Sequence, residues 1–314
     1  MRYVIQALRQ ATQTSRKKLS RRVLHLRMRN APQAEHLAAE RRLRGKEQLE
    51  KLKRADIVVV SFGKSGRTWL RVMLSHLFRV KHKLPKNAIL GFDNFHNLAG
   101  DVPKIFFTHD NYIKDFTGED DNKKPFYGKK VVLMARDPRD VAVSQFFQWK
   151  FRMKPNKMLI NDYPPPGTEV ELFDFVVGEN GGGMPKIIEY LNLWARESAH
   201  IDEFYLVRYE DLRREPEGEL RKLLDFMAVD ADDSTIKAAV EYSAYENMKK
   251  MEGEKRFRLA GGRMMPKDKN NPDSYKVRRA KVGGYRDYFD DGQIKIIDDT
   301  VNNTLNAIYR YHFQ

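Results

Sequence analysis

The stretch Asp56-Ile57-Val58-Val59-Val60-Ser61-Phe62-Gly63-Lys64-Ser65-Gly66-Arg67-Thr68-Trp69-Leu70-Arg71-Val72-Met73-Leu74 decides the fold of this 314-residue chain. Its first six residues are a short, largely β-branched run, which reads as a strand buried on both faces and therefore as part of a parallel sheet. Its last eight have the apolar spacing of a helix. Between them, Gly63 and Gly66 let backbone N–H groups converge on an anion, the helix N-terminus adds the positive end of its dipole, and Lys64 and Thr68 supply further donors. The segment is an anion cradle, with an ordinary glycine turn as the alternative when it is taken alone. It departs from the nucleotide-kinase form G-x-x-x-x-G-K-[ST], because Lys64 precedes the second glycine and Arg67 stands where that form needs Lys.

Further strands are expected at 104–108, 130–135 and 204–208, separated by helical patterns near 67–80, 139–151 and 185–200. Helical patterns at 215–228, 232–242 and 291–312 follow. This alternation predicts a P-loop-like three-layer α/β/α domain with a central parallel sheet. Two segments read as irregular, 161–168 with three consecutive prolines and 253–284 with its Gly, Pro, Asn and basic residues; a loop of the second length is expected to be functional or disordered.

Composition narrows the class. The absence of Cys excludes disulfides, thiolate nucleophiles and Cys-based metal centres, and it fits a reducing compartment, so the cytoplasm is the expected location. No run approaches the roughly 20 apolar residues needed to span a bilayer, and no apolar signal segment opens the chain. The net charge of +15 is concentrated: residues 1–54 hold 16 Lys/Arg and 4 Asp/Glu. Leu19, Val23 and Leu26 lie at helical spacing among Arg16, Lys17, Lys18, Arg21 and Arg22, so residues 1–54 read as a basic, helical N-terminal arm. Such an arm either packs on the domain or on a second chain as a homodimer, or it attaches peripherally to an anionic membrane or glycan. Specific nucleic-acid binding is not expected, although a non-catalytic anionic-polymer binder is the rival that the arm alone would suggest.

Five blocks, in order, carry a resemblance. The loop from Gly63 to Trp69 resembles the 5′-phosphosulfate loop P-K-S-G-T-T-W of cytosolic-type, 3′-phosphoadenosine 5′-phosphosulfate (PAPS) dependent sulfotransferases, with Gly63 for Pro and Arg67 for the first Thr. Arg136-Asp137-Pro138-Arg139-Asp140-Val141-Ala142-Val143-Ser144 is similar to the family's R-N-P-x-D-x-x-x-S, in which Arg136 and Ser144 would bind the 3′-phosphate; a guanidinium fork suits that ligand. The run from Arg278 to Phe289 resembles R-K-G-x-x-G-D-W-K-x-x-F, with Arg279 for Lys, Ala280 for Gly and Tyr285 for Trp. Arg208 to Leu212 and Tyr245 to Lys249 look like the family's R-Y-E-D-L and F-E-N-M-K. The resemblance covers about 57–289, identifies 55–314 as a sulfotransferase domain, and lacks the membrane anchor of Golgi-type relatives.

What this resemblance implies is in-line transfer of a sulfuryl group from PAPS to an acceptor hydroxyl or amine, leaving PAP, without a metal. Lys64, Ser65, Gly66, Arg67, Thr68 and Trp69 would hold the 5′ end of the donor. Arg136, Ser144, Arg278, Arg279 and the Ala280 backbone would hold its 3′-phosphate, and Trp69, Tyr209 and Tyr245 would surround the adenine. His109, after the second strand, sits where the family's K-T-H carries its general base, with Phe107 in place of Lys; Lys64 would stabilise charge in the transition state. A nucleotide-dependent kinase is the enzymatic alternative, disfavoured by the position of Lys64 and the lack of paired magnesium carboxylates. The acceptor is a small molecule, lipid or glycan. Phe92, Phe95, Phe106, Phe107, Tyr112, Phe116, Phe146, Phe147, Trp149 and Tyr163 fall in segments expected to border it, and an aromatic pocket would favour a phenol or amphiphile over a bare sugar.

Overall fold

Four parallel strands, β1 (Ile57–Val60), β2 (Ile105–Thr108), β3 (Lys130–Ala135) and β4 (Glu203–Arg208), form one sheet in the order β2-β1-β3-β4. The computed structural model describes residues 2–257 and 264–311, and of residues 2–11, 13 and 14 the backbone alone. Before β1 come the helices α1 (Arg2–Arg27) and α2 (Gln33–Arg54), and between the strands lie α3 (Arg67–Lys81), α4 (Ile113–Thr117), α5 (Pro138–Arg152), α6 (Pro155–Ile160), α7 (Leu172–Val177) and α8 (Met184–Glu197). After β4 come α9 (Tyr209–Arg214), α10 (Pro216–Phe226), α11 (Asp233–Tyr242), α12 (Tyr245–Gly253) and α13 (Asp291–Thr304). All four expected strands are present, and the last helix ends at Thr304 rather than near 312.

The uninterrupted apolar runs are explained by burial on both sides. Val58, Val60, Val131 and Leu133 pack with Val141 of α5, Trp194 of α8 and Val301 of α13. Ile57, Val59, Val132 and Met134 pack with Leu70 and Leu74 of α3, Leu212 of α9 and Leu223 of α10. Helices therefore cover both faces, the three-layer α/β/α arrangement expected from the strand and helix alternation.

The basic N-terminal segment forms two helices. α2 lies tightly on the domain: Leu52 and Glu40 are fully buried, and a Cβ on Gly45 would sit 2.0 Å from the carbonyl oxygen of Tyr112, so only glycine lets the backbones approach. α1 rests on α2 through Lys17 and Arg21, which both pair with Glu47, and through the stacked rings of His25 and His36. Its outward side exposes Leu19 and Leu26 at 61% and 71%. Among the described residues no helix is long and apolar enough to cross a membrane.

Candidate active site

The four strand ends converge on one cleft of about 820 Å³. The chain extends the sheet one way with β2 and the other way with β3 and β4, and ligand sites of open α/β sheets lie at such reversals, beyond the carboxyl ends of the strands. β1 delivers the loop from Gly63 to Thr68, β2 delivers His109, β3 delivers Arg136, and β4 delivers Tyr209. Lys64, Gly66, Arg67, Thr68, Trp69, His109, Arg136, Ser144, Tyr209, Tyr245, Arg278, Arg279 and Ala280 all line this cleft, whereas Ser65 is buried beneath it.

The loop backbone is shaped for the turn. Lys64 and Gly66 both have left-handed φ angles, 72° and 94°, and Gly66 is the residue from which α3 starts. A Cβ there would lie 2.6 Å from Tyr209 and 2.7 Å from Met134, so glycine is required by space as well as by conformation. Gly63, which stands where the resemblance expects Pro, abuts the amide of Gln145 at 2.4 Å from a notional Cβ. Trp69 and Tyr209 meet edge to face, with ring centroids 5.7 Å apart, and the Arg136 guanidinium lies 4.5 Å from the Tyr209 centroid.

His109 is held in one tautomer. Its Nδ1 lies 2.8 Å from the carbonyl oxygen of Ser61, which can only accept, so Nδ1 carries the proton and Nε2 presents its lone pair. That lone pair is met by the guanidinium of Arg67 at 2.5 Å. Burial, reinforced by the Arg67 cation, pushes the His109 pKa well below its usual value and keeps the ring neutral. Phe107, at the position where the resemblance expects Lys, lies under Arg71, whose guanidinium is 4.0 Å from the ring centroid.

A cluster of cations stands behind the loop. Lys64 donates to the carbonyl of Lys276 at 3.4 Å, and burial together with the neighbouring Lys276 and Arg152 lowers its pKa to about 7. Lys276 is lowered to about 7 as well, by burial and by Arg67 and Arg152. Glu252, fully buried, accepts from the backbone N–H groups of Lys276 at 2.7 Å and Val277 at 2.9 Å and pairs with Arg152 at 3.4 Å. A site rich in cations of depressed basicity is built to receive an anion, which would restore their charge.

The irregular segment from 264 to 290 forms one wall of the cleft because many side chains clasp it. Arg152 donates to the carbonyls of Ser274 and Met265, Tyr245 donates to that of Arg278 at 2.8 Å, and Arg136 donates to that of Lys281 at 3.0 Å. Asp140 accepts from the N–H groups of Gly283 and Tyr285, each at 3.0 Å, and from Arg136 at 3.2 Å. Arg278 lies flat on Phe147, 3.8 Å from its centroid, while Arg279 pairs with Asp287 at 2.6 Å near the surface. Ala280 has φ 50°, the left-handed conformation that explains glycine in the corresponding family pattern. Lys276, Arg152 and Glu252 escaped the sequence reading: Lys276 lies two residues before the matched block, and the other two owe their position to packing.

The cleft is lined by fewer of the anticipated aromatic side chains than the sequence suggests. Of the ten aromatics anticipated there, Tyr112, Phe147 and Tyr163 line it; Phe95 and Phe106 lie in the core, and Phe146 and Trp149 pack with Phe175. Asn111, Lys114, Asp115 and Asn161 line it as well, together with Met153, Ile160 and Leu193. The strand-end phosphate cradle and the cation cluster define an α/β protein whose cleft is built to hold an anionic ligand.

A family model described as the sulfotransferase domain matches residues 54–308, and the chain belongs to that family. Rat sulfotransferase 2A6 is 24% identical over 265 residues, covering 79% of this chain and 83% of that one. Cytosolic sulfotransferase 12 of Arabidopsis thaliana is 24% identical over 276 residues, covering 81% and 78%. Mouse sulfotransferase SULT7A1 complexed with PAP superposes with a TM-score of 0.54 at 19% identity, covering 84% of this chain and 92% of that one. Retinol dehydratase in a complex with retinol and PAP gives 0.53 at 18%, covering 80% and 81%. The protein is a PAPS-dependent sulfotransferase, a transferase of sulfur-containing groups.

Proposed function

We propose that His109 is the general base of the sulfuryl transfer and that Lys64 carries the charge that develops on the departing phosphate oxygen. The observation that carries this reading is the fixed tautomer of His109, with Nδ1–H on Ser61 and the Nε2 lone pair turned into the cleft beside the loop. Gly66, Thr68 and the N-terminus of α3 hold the 5′-phosphate of the donor, with Ser65 supporting the loop from beneath. Arg136, Ser144, Arg278 and the Ala280 backbone hold its 3′-phosphate, with Arg279, tied to Asp287, at the rim. Trp69, Tyr209 and Tyr245 enclose the adenine, whose flat apolar ring suits aromatic contacts. His109→Ala is expected to abolish turnover while PAP still binds, and Lys64→Ala to lower turnover strongly; near-normal turnover in either variant would remove that residue from its role.

The acceptor is a polar, hydroxylated molecule rather than a sterol-like one. Support comes from Asp115, which lines the cleft and whose Oδ2 is buried without a hydrogen-bond partner, so that an acceptor with a hydroxyl to donate would satisfy it and an apolar one would not. Labelled donor incubated separately with glycans, polar lipids and simple phenols tests this; label entering only the phenols would reverse it.

α1 is read as a peripheral contact with an anionic membrane in the cytoplasm, where the cytosolic names of the relatives also point. Exposed Leu19, Val23 and Leu26 share a side with exposed Arg16, Lys18 and Arg22, the composition of an interfacial helix. Flotation with phosphatidylglycerol but not phosphatidylcholine vesicles, lost in Leu19→Glu/Leu26→Glu, is the expected result. A dimer that dissociates in the same variant and no flotation would assign the surface to a second copy.

A further inference from the structure

Arg67 stands where the family pattern has Thr, and its guanidinium lies against the nitrogen that the proposed base must use. We infer that Arg67 masks the Nε2 lone pair of His109 in the donor-free enzyme and moves onto the sulfuryl oxygens when the donor binds, so that the base is uncovered only when there is a group to transfer. The inference rests on the reading of His109 as base.

Three observations lead there. The guanidinium is always protonated and can only donate, so at 2.5 Å from Nε2 it engages the very lone pair that must receive the proton of the acceptor. A proton placed on Nε2 in that arrangement would face a cation. The other titratable groups around the ring do not offset this: Lys276 from the clasped wall and Lys157 from α6 are positive or neutral and never negative, and Asp110 from the end of β2 is committed to Lys123 at 2.7 Å. Tyr190 of α8, which lines the same cleft, bears no charge.

Arg67 is also the first residue of α3, directly after Gly66, so the site that receives the 5′-phosphosulfate is the one its backbone opens. Anionic sulfuryl oxygens hold the cationic guanidinium more strongly than a neutral imidazole does, because opposite charges attract in addition to the hydrogen bond. A bound donor therefore competes successfully for the guanidinium. The released Nε2 then takes the proton of the acceptor as the acceptor oxygen or nitrogen bonds to sulfur. The bond from sulfur to the bridging oxygen breaks, and its electron pair leaves on the 5′-phosphate of PAP, while Arg67 stays on the sulfuryl oxygens. Donor binding must precede productive acceptor binding.

The test is a histidine-selective NMR titration of full-length wild type and Arg67→Thr, with His109→Gln for assignment, in the absence of ligand and with PAPS but no acceptor. Without ligand, His109 of Arg67→Thr is expected to protonate at least about one pH unit higher than wild type, and with PAPS the two should titrate together. Arg67→Gln, closer in size, replaces Thr if that variant folds poorly. Equal titration of the ligand-free proteins, or a gap that persists with PAPS, overturns the inference alone. Calorimetry on the same samples separates the remaining outcome: if neither protein binds PAPS, the donor-site reading falls and this inference with it.

Discussion

Glu252→Gln tests the clasp that makes an irregular segment into a wall of the active site. Both carboxylate oxygens are in use, Oε1 accepting from Lys276 N–H at 2.7 Å and Oε2 from Val277 N–H at 2.9 Å, while Arg152 pairs with Oε1 at 3.4 Å. The amide of Gln can accept on one side only, so one backbone N–H would face an NH₂ group. Losing the charge weakens the retained bond, from about 1.5–3 to about 0.5–1.5 kcal/mol, and the unpaired N–H costs about 1–3 kcal/mol. Local opening of the segment should therefore become easier by about 3 kcal/mol, or roughly a hundredfold in the opening equilibrium. Hydrogen exchange at the amides of Lys276 and Val277 should accelerate by about that factor, and PAP should bind at least tenfold more weakly, while exchange in β1 and β3 stays unchanged. Unaltered protection at 276 and 277 would refute the clasp. Faster exchange throughout the sheet would show instead that Glu252 supports the whole domain.

Three further expectations follow from the same geometry. Lys64 and Lys276 titrate near 7, and a bound anion raises the pKa of an amine, so the PAP complex holds more protons than the free protein and affinity must fall as pH rises above 7. The dissociation constant for PAP should weaken by about tenfold or more between pH 7 and 9, with a binding enthalpy that depends on the ionisation heat of the buffer; a buffer-independent enthalpy would contradict it. Gly66→Ala forces a Cβ into a left-handed residue and onto Tyr209, costing about 1–2 kcal/mol for conformation and about 1–3 for crowding, seen as a lowered melting temperature and lost PAP binding. Ala280→Gly removes the strain at φ 50°, worth about 1–2 kcal/mol and partly offset by the added freedom of the unfolded chain, so the melting temperature should rise by roughly 2 °C.

Legibility in the sequence followed locality. Ile57–Val60 and Lys130–Ala135 read as strands because β-branched runs report two-sided burial directly, and the loop from Gly63 to Thr68 reads as an anion cradle because its glycines, lysine and helix start are contiguous. The short helices α4, α6 and α7 escaped the reading, since five or six residues carry too little periodicity to register. The aromatic expectation for the acceptor end failed for a related reason: an aromatic residue in sequence does not reveal whether it faces the cleft or, like Phe95 and Phe106, the core.

The sequence by itself determined the sheet, the phosphate loop, the order of the matched blocks and hence the reaction class, because each depends on residues close together in the chain. Only the tertiary structure decided what Arg67 does, bringing its guanidinium to a histidine 42 positions away, and only it decided that Glu252, Arg152 and Asp140 fasten a distant segment over the cleft. The physical reason is the same in each case: a parallel sheet gathers the carboxyl ends of strands that are far apart in sequence, and the partners that side chains find there depend on strand order and register rather than on their neighbours in the chain.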